Sequence, residues 1–173
     1  MTETRRLWAI TGTAAAMVAV LAALVYLTTK LIRKMNNKPT QPIIGPITSP
    51  FGKRKAPVAG ASTTHNGVDV AATVGTTVRA PWDGTVLDVY NDTKYGGGKT
   101  MLITHTNGFR TGYCHLSDYI ARKGQQVKQG DPICKTGNTG TSTGPHLHFS
   151  LRDESNARVD PQQYGFTFKK SLA

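Results

Sequence analysis

The stretch GPHLHFSLR, residues 144–152, sets His146 and His148 one residue apart behind a Gly-Pro. In a β-strand, side chains at i and i+2 share a face, so the two imidazoles point out together while Leu147 and Phe149 turn the other way. A second stretch, THNGVDVAA, holds His65 and Asp69. Read as a strand, it places His65, Gly67 and Asp69 on one face and Val68 and Val70 on the other. Gly67 then leaves room for something close to the backbone. A helix would also bring i and i+4 together, but Gly67, two valines and the preceding Thr63-Thr64 disfavour one. Catalytic zinc takes three ligands from His, Asp, Glu or Cys and keeps a fourth position for water or substrate. His65, Asp69 and one of the His146/His148 pair would supply a His₂Asp set. The HExxH helix of zincin metalloproteases is absent, which excludes that class.

These residues need a rigid frame. From residue 43 to about 168 the chain runs in short apolar stretches broken by Gly, Pro, Asn and Asp, with turn signals every 8–12 residues. That texture predicts an all-β domain, an antiparallel β-sandwich or barrel, long enough to bury its own core. In TVLDVY, Val86, Asp88 and Tyr90 alternate with Leu87 and Val89. LSDYIARKG is the one stretch that reads as a helical turn. Cys114 and Cys134 are too few for a disulfide framework and too far apart for a metal knuckle. They read as small strand residues, with a single disulfide as the alternative in an oxidising compartment.

The N-terminus differs. After a short flank, residues 1–6, the run Leu7–Thr29 holds no charge, and its length suits one membrane-spanning helix in contact with lipid. A cleaved signal peptide has a shorter apolar stretch and a small-x-small exit, which this run lacks. Residues 30–42 form a polar, basic linker, and 169–173 a basic tail. The net charge of +11 divides into +5 for residues 1–40 (six Lys/Arg, one Glu) and +6 for the rest (fifteen Lys/Arg, nine Asp/Glu). A basic domain suits an anionic polymer, but no nucleic-acid motif accompanies the charge, so no nucleic-acid partner is expected. Lys30, Arg33, Lys34 and Lys38 outnumber Arg5 and Arg6 across the span. The positive-inside bias therefore favours a cytoplasmic C-terminal domain.

From Ile47 to Pro161 the chain resembles the lysostaphin-like, or LytM-type, zinc metallopeptidases, whose marks are H-x-x-x-D and H-x-H. GPITSPFGKR resembles the opening strand of that domain, and HNGVDVAATVGTTVRAPWDGTV the first ligand strand with its hairpin. GYCHLS resembles a strand end bearing a catalytic histidine, and VKQGDPICKTGNTGTSTGPHLHFSLR the last ligand strand with its glycine-rich loop. The resemblance implies one Zn²⁺ per chain on His65, Asp69 and His148, with His115 and His146 as catalytic histidines. It implies a structural or ligand-orienting place for His105. Asn138, Thr139, Ser142 and Thr143 lie in a stretch resembling a substrate-groove wall, which reads equally well as a polar turn. The implied activity is cleavage of peptide bonds in peptidoglycan stem peptides or cross-bridges, in a host wall enzyme or a phage virion or lysis enzyme. The alternative is a non-catalytic module of the same fold that activates wall hydrolysis. A wall hydrolase would face the periplasm and cell wall, or sit in a virion membrane, against the vote of the flanking charge. Oligomeric state is not read from the sequence.

Overall fold

Two-residue alternation builds the sheet that carries the site. In HLHFSLR, Leu147, Phe149 and Leu151 are fully buried, and the intervening residues are half-buried on the opposite face. In VDVA, Val68 and Val70 are buried and Asp69 faces away from them. Burying such apolar side chains contributes about 1.5–3 kcal/mol each, which fixes the face that each strand presents.

The computed structural model describes residues 16–28, 38–54 and 63–169. The chain divides into two units, Met1–Lys38 and Pro39–Ala173. In the first, residues 16–28 are helical and their large apolar side chains are exposed, Met17 and Val18 by 70% and 69%. No helix among the described residues is long and apolar enough to cross a membrane. The span expected over residues 7–29 is therefore not shown, and it runs beyond the described residues at both ends. The linker expected over residues 30–42 falls mostly outside them as well. Its last residues belong to the second unit, where Thr40 N–H donates to the Pro81 carbonyl and the Gln41 amide to the Gly165 carbonyl. In the tail expected over 169–173, only Lys169 is described.

The second unit holds β1 (Ile47–Ser49), β2 (Gly52–Lys53), β3 (Thr64–His65), β4 (Val68–Ala71), β5 (Thr77–Arg79), β6 (Gly84–Asp92), β7 (Gly98–His105), β8 (Arg110–Leu116), β9 (Asp118–Tyr119), β10 (Gln126–Val127), β11 (Pro132–Lys135), β12 (His146–Arg152) and β13 (Arg158–Val159), then a 3₁₀ turn over Pro161–Tyr164. An eight-stranded sheet runs β1-β4-β12-β8-β7-β6-β10, with β13 beside β12; β5-β11-β9 and β2-β3 form smaller sheets. Every strand pairing among the described residues is antiparallel, as expected.

Three local readings change. LSDYIARKG is not helical, because its donors bond across strands: Ser117 N–H to the Lys135 carbonyl, and Ile120 and Ala121 N–H to the Ile133 carbonyl. In β6, a register shift between Val86 and Asp88 inserts Leu87, which is 48% exposed, and ends the simple alternation. THNGVDVAA is two strands rather than one. It breaks at Asn66-Gly67, where a Cβ on Gly67 would collide with the Phe149 carbonyl oxygen and stand 2.9 Å from His148 Nε2. That close approach is what the glycine makes room for.

Candidate active site

Register alone brings the first group together. β12 lies between β4 and β8, opposing His148 to Asp69 on one side and to Cys114 on the other. His65, at the end of β3, reaches the same point from the neighbouring hairpin. His65 Nε2 lies 3.1 Å from Asp69 Oδ1 and 3.0 Å from His148 Nδ1, and His148 Nδ1 lies 2.8 Å from Asp69 Oδ1. The far nitrogens are engaged elsewhere. His65 Nδ1 donates to the Pro50 carbonyl at 2.7 Å, and His148 Nε2 to Asn66 Oδ1 at 3.1 Å. A neutral imidazole whose one N–H is donated presents a lone pair on its other nitrogen. Three electron-pair donors thus converge, with nitrogen, oxygen and nitrogen atoms all within 4.8 Å of one another. Such an arrangement suits a cation, and this donor set fits zinc.

Charge around the triad points the same way. Burial alone would raise the Asp69 carboxyl, but hydrogen bonds and charge from His148 and His65 hold it well below the usual carboxylate range. Its second oxygen, Oδ2, accepts from Arg54 at 3.1 Å, and the same guanidinium nitrogen donates to Ser49 Oγ at 2.6 Å. Burial pushes the His148 imidazole down, against its bond to Asp69. Arg54 and Asn66 were missed in the sequence. Arg54 stands in a charge run, KRK, that reads as solvated. Asn66 acts across strands on a residue 82 positions away, which local pattern does not reveal.

Two more imidazoles flank the triad. The His115 and His146 rings lie 4.6 Å apart between centroids, and His115 meets His148 edge-on at 6.2 Å. His146 takes its direction from strand alternation. His115 takes its direction from a bulge: Lys99 opposes Leu116 and Met101 opposes Tyr113, so β8 carries an extra residue, and His115 adopts φ 61°. A positive φ is costly for a non-glycine residue, and bulges recur where a side chain must be re-aimed. The His115 N–H is held by the Gly97 carbonyl at 2.8 Å. Each ring is tied by one nitrogen, His115 Nδ1 to the Thr139 carbonyl at 2.8 Å and His146 Nδ1 to the Gly144 carbonyl at 2.7 Å. Nε2 of each is left with its lone pair and no hydrogen bond among the described residues. Burial pushes His115 down to about 4 despite the Thr139 bond, so it is neutral near pH 7.

All five of these residues except His65 line a cleft of about 550 Å³, together with Ser49, Arg54, Thr141, Ser142, Thr143 and Pro145. Of the four residues expected in a groove wall, Ser142 and Thr143 line this cleft. Asn138 and Thr139 are not among the lining residues. Thr139 fastens strands instead, its hydroxyl donating to the Leu116 carbonyl and accepting from Lys99 N–H. His105 lies apart on the core face of β7, with Nδ1 donating to the Trp82 and Asp83 carbonyls and Nε2 2.7 Å from Thr111 Oγ1. None of these bonds reaches the triad. Trp82 and Tyr113 are core residues and Tyr90 is on the rim. Both cysteines are free.

Comparison with known proteins agrees with this geometry. The sequence pattern described as Peptidase family M23 matches residues 63–161, which contain all five histidines and Asp69. Peptidoglycan DD-endopeptidase ShyB of Vibrio cholerae is 39% identical over 144 residues, covering 83% of this chain and 33% of its own length. A structure described as a zinc containing peptidase from Vibrio cholerae has a TM-score of 0.63 at 37% identity, over 79% of this chain and 40% of that one. The catalytic domain of lysostaphin from Staphylococcus simulans has a TM-score of 0.61 at 32% identity, over 69% of this chain and 91% of that one. This chain spans about a quarter to a third of the length of the curated relatives it matches. With the family pattern covering more than half of its residues, the chain belongs to peptidase family M23.

Proposed function

We propose that this chain is a zinc-dependent endopeptidase that cleaves peptide bonds of bacterial peptidoglycan, tethered to a membrane through residues 7–29. One observation carries the reading: two imidazoles whose Nε2 atoms make no hydrogen bond among the described residues stand in a cleft beside three converging metal donors, with His146 Nε2 3.7 Å from Asp69 Oδ1. Zinc held by His65 Nε2, Asp69 Oδ1 and His148 Nδ1 would polarise a scissile carbonyl and acidify bound water. The protein's own groups do the rest. One imidazole of the His115/His146 pair accepts the attacking water's proton through Nε2. The other faces the developing oxyanion or the leaving amine. Their tied Nδ1 atoms fix which nitrogen is available, and Arg54, by holding Asp69 Oδ2, leaves Oδ1 as the oxygen that would hold the metal.

Peptidoglycan as substrate rests on the relatives named for it. The tether rests on the uncharged run Leu7–Thr29 and on the exposed apolar helix over residues 16–28. In this reading the peptidase unit faces the periplasm and wall, or sits in a phage virion membrane. Full-length chain in detergent should digest purified sacculi, lose activity on chelation, and regain it with one zinc per chain. Binding to sacculi without cleavage, at full zinc occupancy, would make it an activator module instead.

A further inference from the structure

The face of β12 that carries His146 and His148 continues through Ser150 to Arg152. Arg152 stands directly opposite Arg110 of β8 on one side and Arg158 of β13 on the other. Three arginines therefore lie in a row across the sheet, on the same face as the candidate site. Directly opposed side chains have Cβ atoms about 4.5–5.5 Å apart, and like charges so placed destabilise a sheet. No ion pair among the described residues involves any of the three. Arg152 donates to the Asn156 carbonyl at 2.8 Å and Arg110 to Asn156 Oδ1 at 3.4 Å, both neutral acceptors. Arg158 feels the crowding: burial first, then the Arg152 charge, pull its guanidinium below its ordinary value. Its charge also reaches Cys114, beside His148, where it opposes the burial that pushes that thiol up to about 11.

We infer that Arg110, Arg152 and Arg158 form a subsite that binds a carboxylate of the substrate peptide, about 13 Å along β12 from His148. The inference rests on the peptidase reading and names the kind of peptide that site takes: one with a free acid about four extended residues from the scissile bond. Guanidinium groups bind carboxylates through paired, charge-assisted hydrogen bonds, and each offers five N–H donors, most of them unspent here. A carboxylate in the row would also relieve the repulsion between opposed arginines. The shared face favours substrate over a lipid headgroup, because one extended strand of substrate can occupy site and row together.

The test uses full-length Arg110→Gln, Arg158→Gln double variant, with Arg152 left to hold the β12–β13 turn. The substrates are a cross-linked stem-peptide fragment with free carboxylates and the same fragment fully amidated. On the free acid, KM should rise roughly 10- to 100-fold, the worth of one or two charge-assisted bonds, with kcat within about twofold and zinc content unchanged. On the amide, wild type should already show the raised KM, and the variant should add nothing. An unchanged KM on the free acid overturns the subsite. So does an equal loss on both substrates, or a variant that loses only its co-sedimentation with phosphatidylglycerol vesicles. If wild type cleaves neither fragment, the peptidase reading fails on its own. Calorimetric binding of the free acid against the amide then still decides the row.

Discussion

Two buried histidine environments lie on opposite faces of one sheet, and burial pushes His105 and His115 down alike, each to about 4. What separates them is the second nitrogen. His105 has both ring nitrogens engaged, Nδ1 by two backbone carbonyls and Nε2 by the Thr111 hydroxyl, with the Trp82 ring edge-on at 5.4 Å. His115 and His146 each have Nδ1 engaged and Nε2 turned to a cleft. His65 and His148 have one nitrogen engaged and the other aimed at a shared carboxylate. Depressed basicity marks a buried imidazole. An unspent, solvent-reachable lone pair marks one that can do chemistry.

The sharpest way to break this contrast is His148→Ala. It removes one of three converging donors and leaves His65 and Asp69, too few for tight zinc binding. Zinc content and wall digestion should fall together, to background. Metal analysis of the purified variant, alongside sacculus digestion, checks it. A variant that keeps one zinc per chain would move His148 out of the ligand set.

The next effect is smaller and of a different kind. His115→Ala and His146→Ala leave the donor triad whole, so zinc should stay near one per chain. Activity should drop roughly 10²- to 10⁴-fold, the usual contribution of a positioned general acid or base. Two surface histidines of no function would change neither quantity. If His146→Ala empties the site while His148→Ala retains zinc, the two members of the pair have exchanged roles.

The two faces were unequally legible in the sequence. HLHFSLR gave up its geometry at once, since a period of two with Leu147, Phe149 and Leu151 inward leaves both histidines one way to point. THNGVDVAA reads as one strand with His65 and Asp69 on one face; the structure brings those two side chains to 3.1 Å but from two strands. Gly67 was the clue to the break, because the ring and carbonyl that crowd it belong to β12. The aim of His115 was not legible, because it depends on a bulge, and a bulge is set by the partner strand's register. Thr139 shows the same limit: its carbonyl orients His115 and its hydroxyl joins strands, where the resemblance implied a groove wall and the residues alone a polar turn. For LSDYIARKG, local propensity gave way to cross-strand bonds that only the folded chain supplies. His105 could be placed as structural or ligand-orienting, and choosing between these needed both of its nitrogens.

The smallest effect on catalysis should come from His105, and its loss should appear in stability instead. His105→Gln keeps an amide that can donate and accept, yet it loses ring packing against Trp82. It should lower unfolding stability by about 1–3 kcal/mol, with kcat and KM of the folded enzyme within about twofold of wild type. Its titration adds a second signature. The folded imidazole sits at about 4 against an ordinary 6.5, so between those values the unfolded chain takes up a proton that the folded chain refuses. Stability from this group is therefore full above about pH 6.5 and is lost as pH falls towards 4. The loss amounts to about 3 kcal/mol at 1.36 kcal/mol per unit. Glutamine has no such proton. Urea unfolding of both proteins from pH 7 to pH 4 should show the wild-type curve falling more steeply, so that the two converge towards the acid end. His115 contributes the same slope to each and cancels in the difference. Parallel curves would mean that His105 is not held neutral. A large loss of kcat at unchanged stability would carry it across the sheet, into the company of the catalytic histidines.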